Sequence, residues 1–313
     1  DMIAGLRERH VQDLGAAFAS YAGAMEIAPQ NETTIGQLGR IADATGDWER
    51  VAGLMASEAE KILDPQLKAA MLKRVAVIRL EKLQDVEKAV ARYQEIVDDN
   101  PEDADAIGAL DHIFTRLERW SELVEVLRRQ ISVTGDEMQS VELQFRVGQI
   151  FHINLNDLPE AVNVYRDILA IAPEHQPAIQ AMELIFAEGE MQSAIAEVLE
   201  PLHYAAQRWD QIVKIGEVKL SITEDRQDRF DIIRNVAEIA ENKLGDTGNA
   251  YVWWLRAYID DPSSEDVASE VERLAEITGQ WSYIVDVSRQ ILESEEQLPA
   301  ETQQIVLLRE GRT

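Results

Sequence analysis

The sequence predicts an all-α fold, an α-solenoid of about 17–18 helices packed as antiparallel hairpins. Three observations predict it. The stretch DLPEAVNVYRDILAIAPEH, residues 157–175, reads as a short amphipathic helix carrying Ala161 and Tyr165 and stopped by Pro173. Its spacing recurs as Ala17, Tyr21 and Pro29, as Ala89, Tyr93 and Pro101, and as Ala250, Trp254 and Pro262. A tryptophan opens another helix at Trp48, Trp120, Trp209 and Trp281, with apolar residues at i+3 and i+4 on one face. Finally, one interval, 72 in sequence number, separates Trp48 from Trp120, Trp209 from Trp281, Pro29 from Pro101 and Pro101 from Pro173. A fixed period of this kind is the signature of a repeat architecture.

A 72-residue unit accommodates two helical hairpins of about 36 residues each. One unit can be followed through the chain. Residues 65–82 predict a helix with Pro65 tolerated in its first turn, and 84–98 predict the next, carrying Ala89 and Tyr93. Pro101 cannot continue that helix and forces Asn100 out of helical geometry. Helices over 103–117 and 119–133 complete the unit, and 136–154 opens the following one. Links this short make consecutive helices antiparallel. The repeated alanine lets a neighbouring helix approach, the aromatic one turn later fills the wider gap, and each hairpin leaves an apolar face for the next to cover. The four tryptophans are expected in the core on the same grounds.

The Ala, aromatic and Pro positions resemble three consensus positions of tetratricopeptide repeats, and Gly148 sits near the consensus glycine of the first helix. The resemblance covers essentially the whole chain in degenerate form. The hairpins opened by tryptophan lack the consensus proline, and most first helices lack the Trp–Leu–Gly pattern. It implies a right-handed superhelix that binds a protein or peptide along its concave groove. The Lys and Asn set of the family's carboxylate clamp is not visible here.

One interval breaks the rule. From Pro173 to Trp209 the step is 36, where the other copies give 19, and the excess of 17 falls within 189–207. That is about one helix, or two short ones if Pro201 splits the stretch; the cost of an internal proline favours the split. Domain organisation follows: an N-terminal array over 1–189, an irregular segment over 190–206 that changes the superhelical path, and a C-terminal array over 207–313. Residues 1–12 read as the latter part of one helix and 299–312 as the start of another, so the chain is expected to be a segment of a longer array.

Composition narrows the function classes. With 58 acidic and 30 basic residues the formal net charge is −28, a field that repels nucleic acid and anionic lipid and favours a basic or amphipathic protein partner. The same charge also keeps a long apolar-cored array soluble. No apolar run reaches the length of about 18 residues needed to cross a membrane. The absence of cysteine excludes disulfides and thiolate metal sites and fits a cytoplasmic bacterial protein, while leaving a periplasmic one open. His10, His112, His152, His175 and His203 lack the paired spacing of a helical metal site, and no HExxH, GxSxG, P-loop or GxGxxG motif occurs. Carboxylates such as Asp98, Asp99, Glu102, Asp103 and Asp105 lie in polar loops and are expected to stay solvated. No catalytic residue, metal or cofactor is expected.

Candidate partner-binding residues are Arg74 and Arg146, equivalent at the repeat interval, and Asn235, in the same column after a further step of 89. Side chains in such a column line a groove or pair with Glu and Asp of the next repeat. Trp253 adjoins Trp254, which takes the Tyr165 position, so Trp253 points elsewhere and is a candidate for partner contact. The expected function is a non-catalytic protein-interaction scaffold. The alternatives are a self-associating spacer in a large bacterial envelope or motility complex, and the substrate-recognition portion of an enzyme whose catalytic domain lies elsewhere.

Overall fold

A computed structural model describes residues 14–293 together with 303, 304, 306 and 307. Sixteen α-helices and no strand occur among the described residues. In order they are α1 (Leu14–Ile27), α2 (Glu32–Thr45), α3 (Trp48–Ala59), α4 (Pro65–Val77), α5 (Val86–Asp99), α6 (Ala104–Arg116), α7 (Trp120–Val133) and α8 (Glu137–Gln149). They continue as α9 (Leu158–Ile171), α10 (Gln176–Ala187), α11 (Gln192–Ala205), α12 (Trp209–Ile222), α13 (Arg226–Asn242), α14 (Thr247–Asp260), α15 (Glu265–Thr278) and α16 (Trp281–Glu293). Two compact units divide inside α9, between Val164 and Tyr165. Within each unit helices pack against their neighbours in sequence, as an α-solenoid of hairpins requires. The expected helix over 1–12 lies outside the described residues, as does most of the one over 299–312.

The links repeat as faithfully as the helices. α4 and α8 each end in a π turn, Ile78–Lys82 and Ile150–Asn154. Both are closed by a backbone bond of 2.8 Å, from Asp85 N–H to the Arg79 carbonyl and from Asp157 N–H to the Phe151 carbonyl. Asp246 to Ala240 repeats that bond at the end of α13. Gln84, Asn156 and Gly245 stand just before these aspartates with φ of 54°, 51° and 67°. Each aspartate then caps the next helix, accepting from the N–H of Lys88, Glu160 or Asn249 and so satisfying an orphan donor.

Ala17, Ala89, Ala161 and Ala250 are fully buried, with Tyr21, Tyr93, Tyr165 and Trp254 buried one turn later. The four helix-opening tryptophans differ from expectation. All are half-buried, because a helix-start side chain lies at the rim of the packed layer, with one ring face left for Lys82 (4.8 Å from Trp48) or Lys243 (5.5 Å from Trp209). Their i+3 neighbours Val51, Leu123, Ile212 and Ile284 do the packing.

The excess stretch is one helix, not two. α11 runs unbroken with Pro201 inside it. Ile195, Ala196 and Leu199 before the proline and His203 after it are all buried on one face, and that packing offsets the proline's cost. Pro201 and Glu197, whose carbonyl loses its partner, are both exposed, so water can satisfy the carbonyl. Sequence context gives α11 two roles. Gln192 stands as far beyond Pro173 as Trp120 stands beyond Pro101, where the second helix of a hairpin starts. Yet Gln207–Arg208–Trp209 repeats Glu118–Arg119–Trp120, which follows a first helix: Gln207 and Glu118 have φ of 54° and 55°, and Arg208 and Arg119 donate to the His203 and Phe114 carbonyls at 2.9 Å. α11 therefore closes one hairpin pattern and opens the next, exchanging the two helix roles within unit 2.

Unit 2 has a core of large aromatics, Tyr251, Trp253, Trp254 and Tyr258, packed with Val236, Val271 and Leu274. Gly216 permits the approach of α12 to α13 here, since a Cβ built on it would overlap the Val236 side chain.

Candidate functional site

In unit 1 the first turns of α4 face the link between α5 and α6 across a groove of about 720 Å³. Asp64 caps α4 from an extended backbone, and Pro65 occupies the first turn. α5 stops where Asn100, extended at φ −141° and ψ 93°, precedes Pro101. Asp103 then caps α6 by accepting from Ala106 N–H at 3.0 Å. The groove floor is Ala69, Ala70, Leu72 and Ile96, with Asp99, Asn100, Asp103 and Asp105 on one side and Lys73 and Arg74 on the other.

Ion pairs fasten these walls. Lys68 bonds Asp99 at 2.7 Å and Glu95 at 3.2 Å, and Lys73 lies 2.8 Å from both Asp103 and Asp105. Arg74 pairs with Glu32 of α2. The Asp99 bond holds the Lys68 ammonium above its ordinary range; for Lys73 burial pulls downward, but the two aspartates outweigh it. Lys73 in turn lowers Asp105, and Arg74 lowers Glu32. Asp105 and Glu32 therefore stay ionised, and Glu32, Glu95, Asp99, Asp103 and Asp105 outnumber Lys68, Lys73 and Arg74.

The repeat interval plus the irregular step takes this groove onto a smaller one of about 260 Å³ in unit 2. Gln227, Phe230, Ile233, Asp260 and Asp266 stand where Gln66, Ala69, Leu72, Asp99 and Asp105 stand in unit 1. The Lys68–Asp99 pair is reproduced as Arg229–Asp260 at 2.8 Å. The difference is Phe230, whose ring packs edge-on to Trp254 at 6.3 Å and beneath the Arg234 guanidinium at 5.7 Å, filling the space that Ala69 leaves open.

The four residues singled out from the sequence fall differently. Arg146 binds Asp111 of α6, with one contact of 2.7 Å, and that guanidinium holds the Asp111 carboxyl below its usual range. Asn235 donates to the Tyr204 hydroxyl of α11 at 2.5 Å. With Arg74 on Glu32, all three reach back to the helix two places earlier, so the column is a series of inter-repeat ties to the preceding repeat. Of these, Arg74 borders the unit 1 groove and Asn235 a cavity of about 200 Å³. Trp253 is corrected outright: it is 0% exposed in the unit 2 core, with Arg256 over its ring at 4.5 Å. It turns inward because α14 is contacted on several sides, by α13, α15 and α16.

The sequence did not single out Lys68 or Lys73, and the acidic links were expected to stay solvated. Asp103 is instead only 12% exposed. The available signal was the recurrence of DNPEDAD at 99–105 as DDPSSED at 260–266, each at the same spacing from the alanine of an alanine–aromatic helix.

A second cavity, about 480 Å³, lies between α10, α11 and α12. His203 is buried there with Nε2 3.5 Å from Glu183, which Arg208 also contacts at 3.3 Å. Burial, with Arg208 second, pushes His203 below its ordinary range against a smaller opposing effect of Asp210.

Among known families, the tetratricopeptide repeat model matches residues 106–138, which run from α6 through α7 into α8. The match thus falls on a hairpin opened by tryptophan, not on one with the alanine–aromatic–proline spacing. No curated protein matches the chain. Similar solved structures include the C-terminal part of a TPR repeat-containing protein from Cytophaga hutchinsonii, at 15% identity and TM-score 0.33 over 86% of this chain and 98% of that one. A tetratricopeptide repeat protein from Parabacteroides merdae aligns at 14% identity and TM-score 0.29, covering 84% and 93%. The TPR2AB domain of yeast Sti1 in complex with pHSP90 aligns at 13% and 0.28, covering 87% and 96%. The matched hairpin, the repeated helix pairs and the recurring alanine–aromatic packing make this chain a tetratricopeptide-like helical repeat protein.

Proposed function

We propose that the chain is a non-catalytic scaffold that binds another protein or peptide. The supporting observation is the open unit 1 groove, about 720 Å³ with an apolar floor and charged walls, within the size range of binding clefts. Its charged groups serve as inter-helix ties and recognition groups; Lys73 is held between two carboxylates and so stays protonated, unsuited to act as a base. The surplus of carboxylates favours basic or amphipathic partners and disfavours nucleic acid. No described helix is long and apolar enough to cross a membrane. Affinity capture from native lysate with the chain as bait is the test. Specific recovery of a protein that binds the purified chain directly supports the scaffold; recovery of nucleic acid alone, or of no direct binder, refutes it.

A further inference from the structure

We infer that the unit 1 groove receives a cationic side chain from an extended, basic segment of the partner, and that Phe230 closes the equivalent groove of unit 2. This rests on the scaffold reading above and adds the partner's chemistry and the residue that selects between the grooves. The two grooves share their framework: the same α-helical start, the same link after the alanine–aromatic helix, and the same stapling pair, Lys68–Asp99 or Arg229–Asp260. What differs is capacity. Ala69 and Ala70 leave about 720 Å³, whereas Phe230 reduces its groove to about 260 Å³, below the range of binding clefts.

Charge selects the guest. Asp105 is 83% exposed and uses one oxygen on Lys73, leaving acceptor sites free, and Asp99, which also lines the groove, is likewise more than half exposed. A guest ammonium or guanidinium could donate to these carboxylates while its aliphatic stem lies over Ala69 and Ala70. An anionic guest would meet the carboxylates of Asp99, Asp103 and Asp105, while the lining cations Lys73 and Arg74 are already paired.

The experiment uses the full chain with methyl-labelled alanine, titrated with a decapeptide of alternating arginine and leucine and, separately, with its glutamate–leucine counterpart. Methyl resonances of Ala69 and Ala70 report unit 1, and Ala257 reports the unit 2 groove, which it lines. The arginine peptide is expected to shift Ala69 and Ala70 saturably and leave Ala257 in place. Ala69→Phe should weaken that binding about tenfold with helicity and melting temperature unchanged, and Phe230→Ala should bring Ala257 into the response. The proposal is overturned if the glutamate peptide binds as well, if Ala257 responds equally in the unaltered chain, if Ala69→Phe binds unchanged, or if Ala69 and Ala70 do not shift. A chain that captures only neutral or acidic proteins would keep the scaffold reading and lose this one.

Discussion

Gly216 offers a direct measure of how the helices of unit 2 are held together. Two opposing effects act on Gly216→Ala. Alanine in a helix interior is favoured over glycine by about 0.5–1 kcal/mol. Against this, the new methyl would overlap Val236, the first neighbour it meets, with the Trp253 ring next at 3.7 Å. Val236 and Trp253 are themselves fully buried, so relief requires α12 and α13 to separate, at a cost of about 1–3 kcal/mol. Gly108→Ala in α6 is the control, since nothing lies within 4 Å of the position its methyl would take. Propensity cancels between the two variants, and Gly216→Ala should be the less stable by about 1–3 kcal/mol in urea titrations followed by far-ultraviolet circular dichroism and tryptophan fluorescence. If Gly216→Ala stabilises as much as Gly108→Ala, the close approach of α12 and α13 is wrong.

Three further outcomes follow from the same geometry. Pro201→Ala should stabilise the chain by up to about 3 kcal/mol, because the restored N–H can bond the Glu197 carbonyl inside a continuous α11; an unchanged urea midpoint would mean the helix is broken there. Glu118→Gly and Gln207→Gly should each stabilise by up to about 1 kcal/mol, since φ of 55° and 54° strains an L-residue but not glycine; loss of stability in both would refute the link geometry. His203, lowered chiefly by burial from an ordinary value of 6.5, makes the folded state bind fewer protons than the unfolded one just below that value. Its contribution is complete above about pH 6.5 and is lost as pH falls toward the depressed folded value, so melting temperature should drop as pH falls below about 6.5, and His203→Gln should flatten the drop. A slope unaltered in the variant would remove His203 from the account.

The sequence carried the helices, their antiparallel order and the two-hairpin repeat unit, because those depend on spacing that can be counted. Ala161 and Tyr165 must be buried when they recur at a fixed interval on one face, and Pro173 must end a helix wherever it stands. Even the excess helix was measurable, as the surplus in the step from Pro173 to Trp209. What spacing could not decide was the balance of a local preference against packing. Pro201 argues for a break, yet buried Ile195, Leu199 and His203 on either side carry the helix through it. Trp253 has no place in the repeat pattern and goes to the core because the neighbours of α14 enclose it. The groove, too, was decided in three dimensions: Ala69 and Phe230 hold equivalent positions, and only the surroundings show that one leaves a cleft and the other fills it. Periodicity is a property of the chain and is written along it, whereas the fate of any one side chain is set by what the neighbouring helices bring against it.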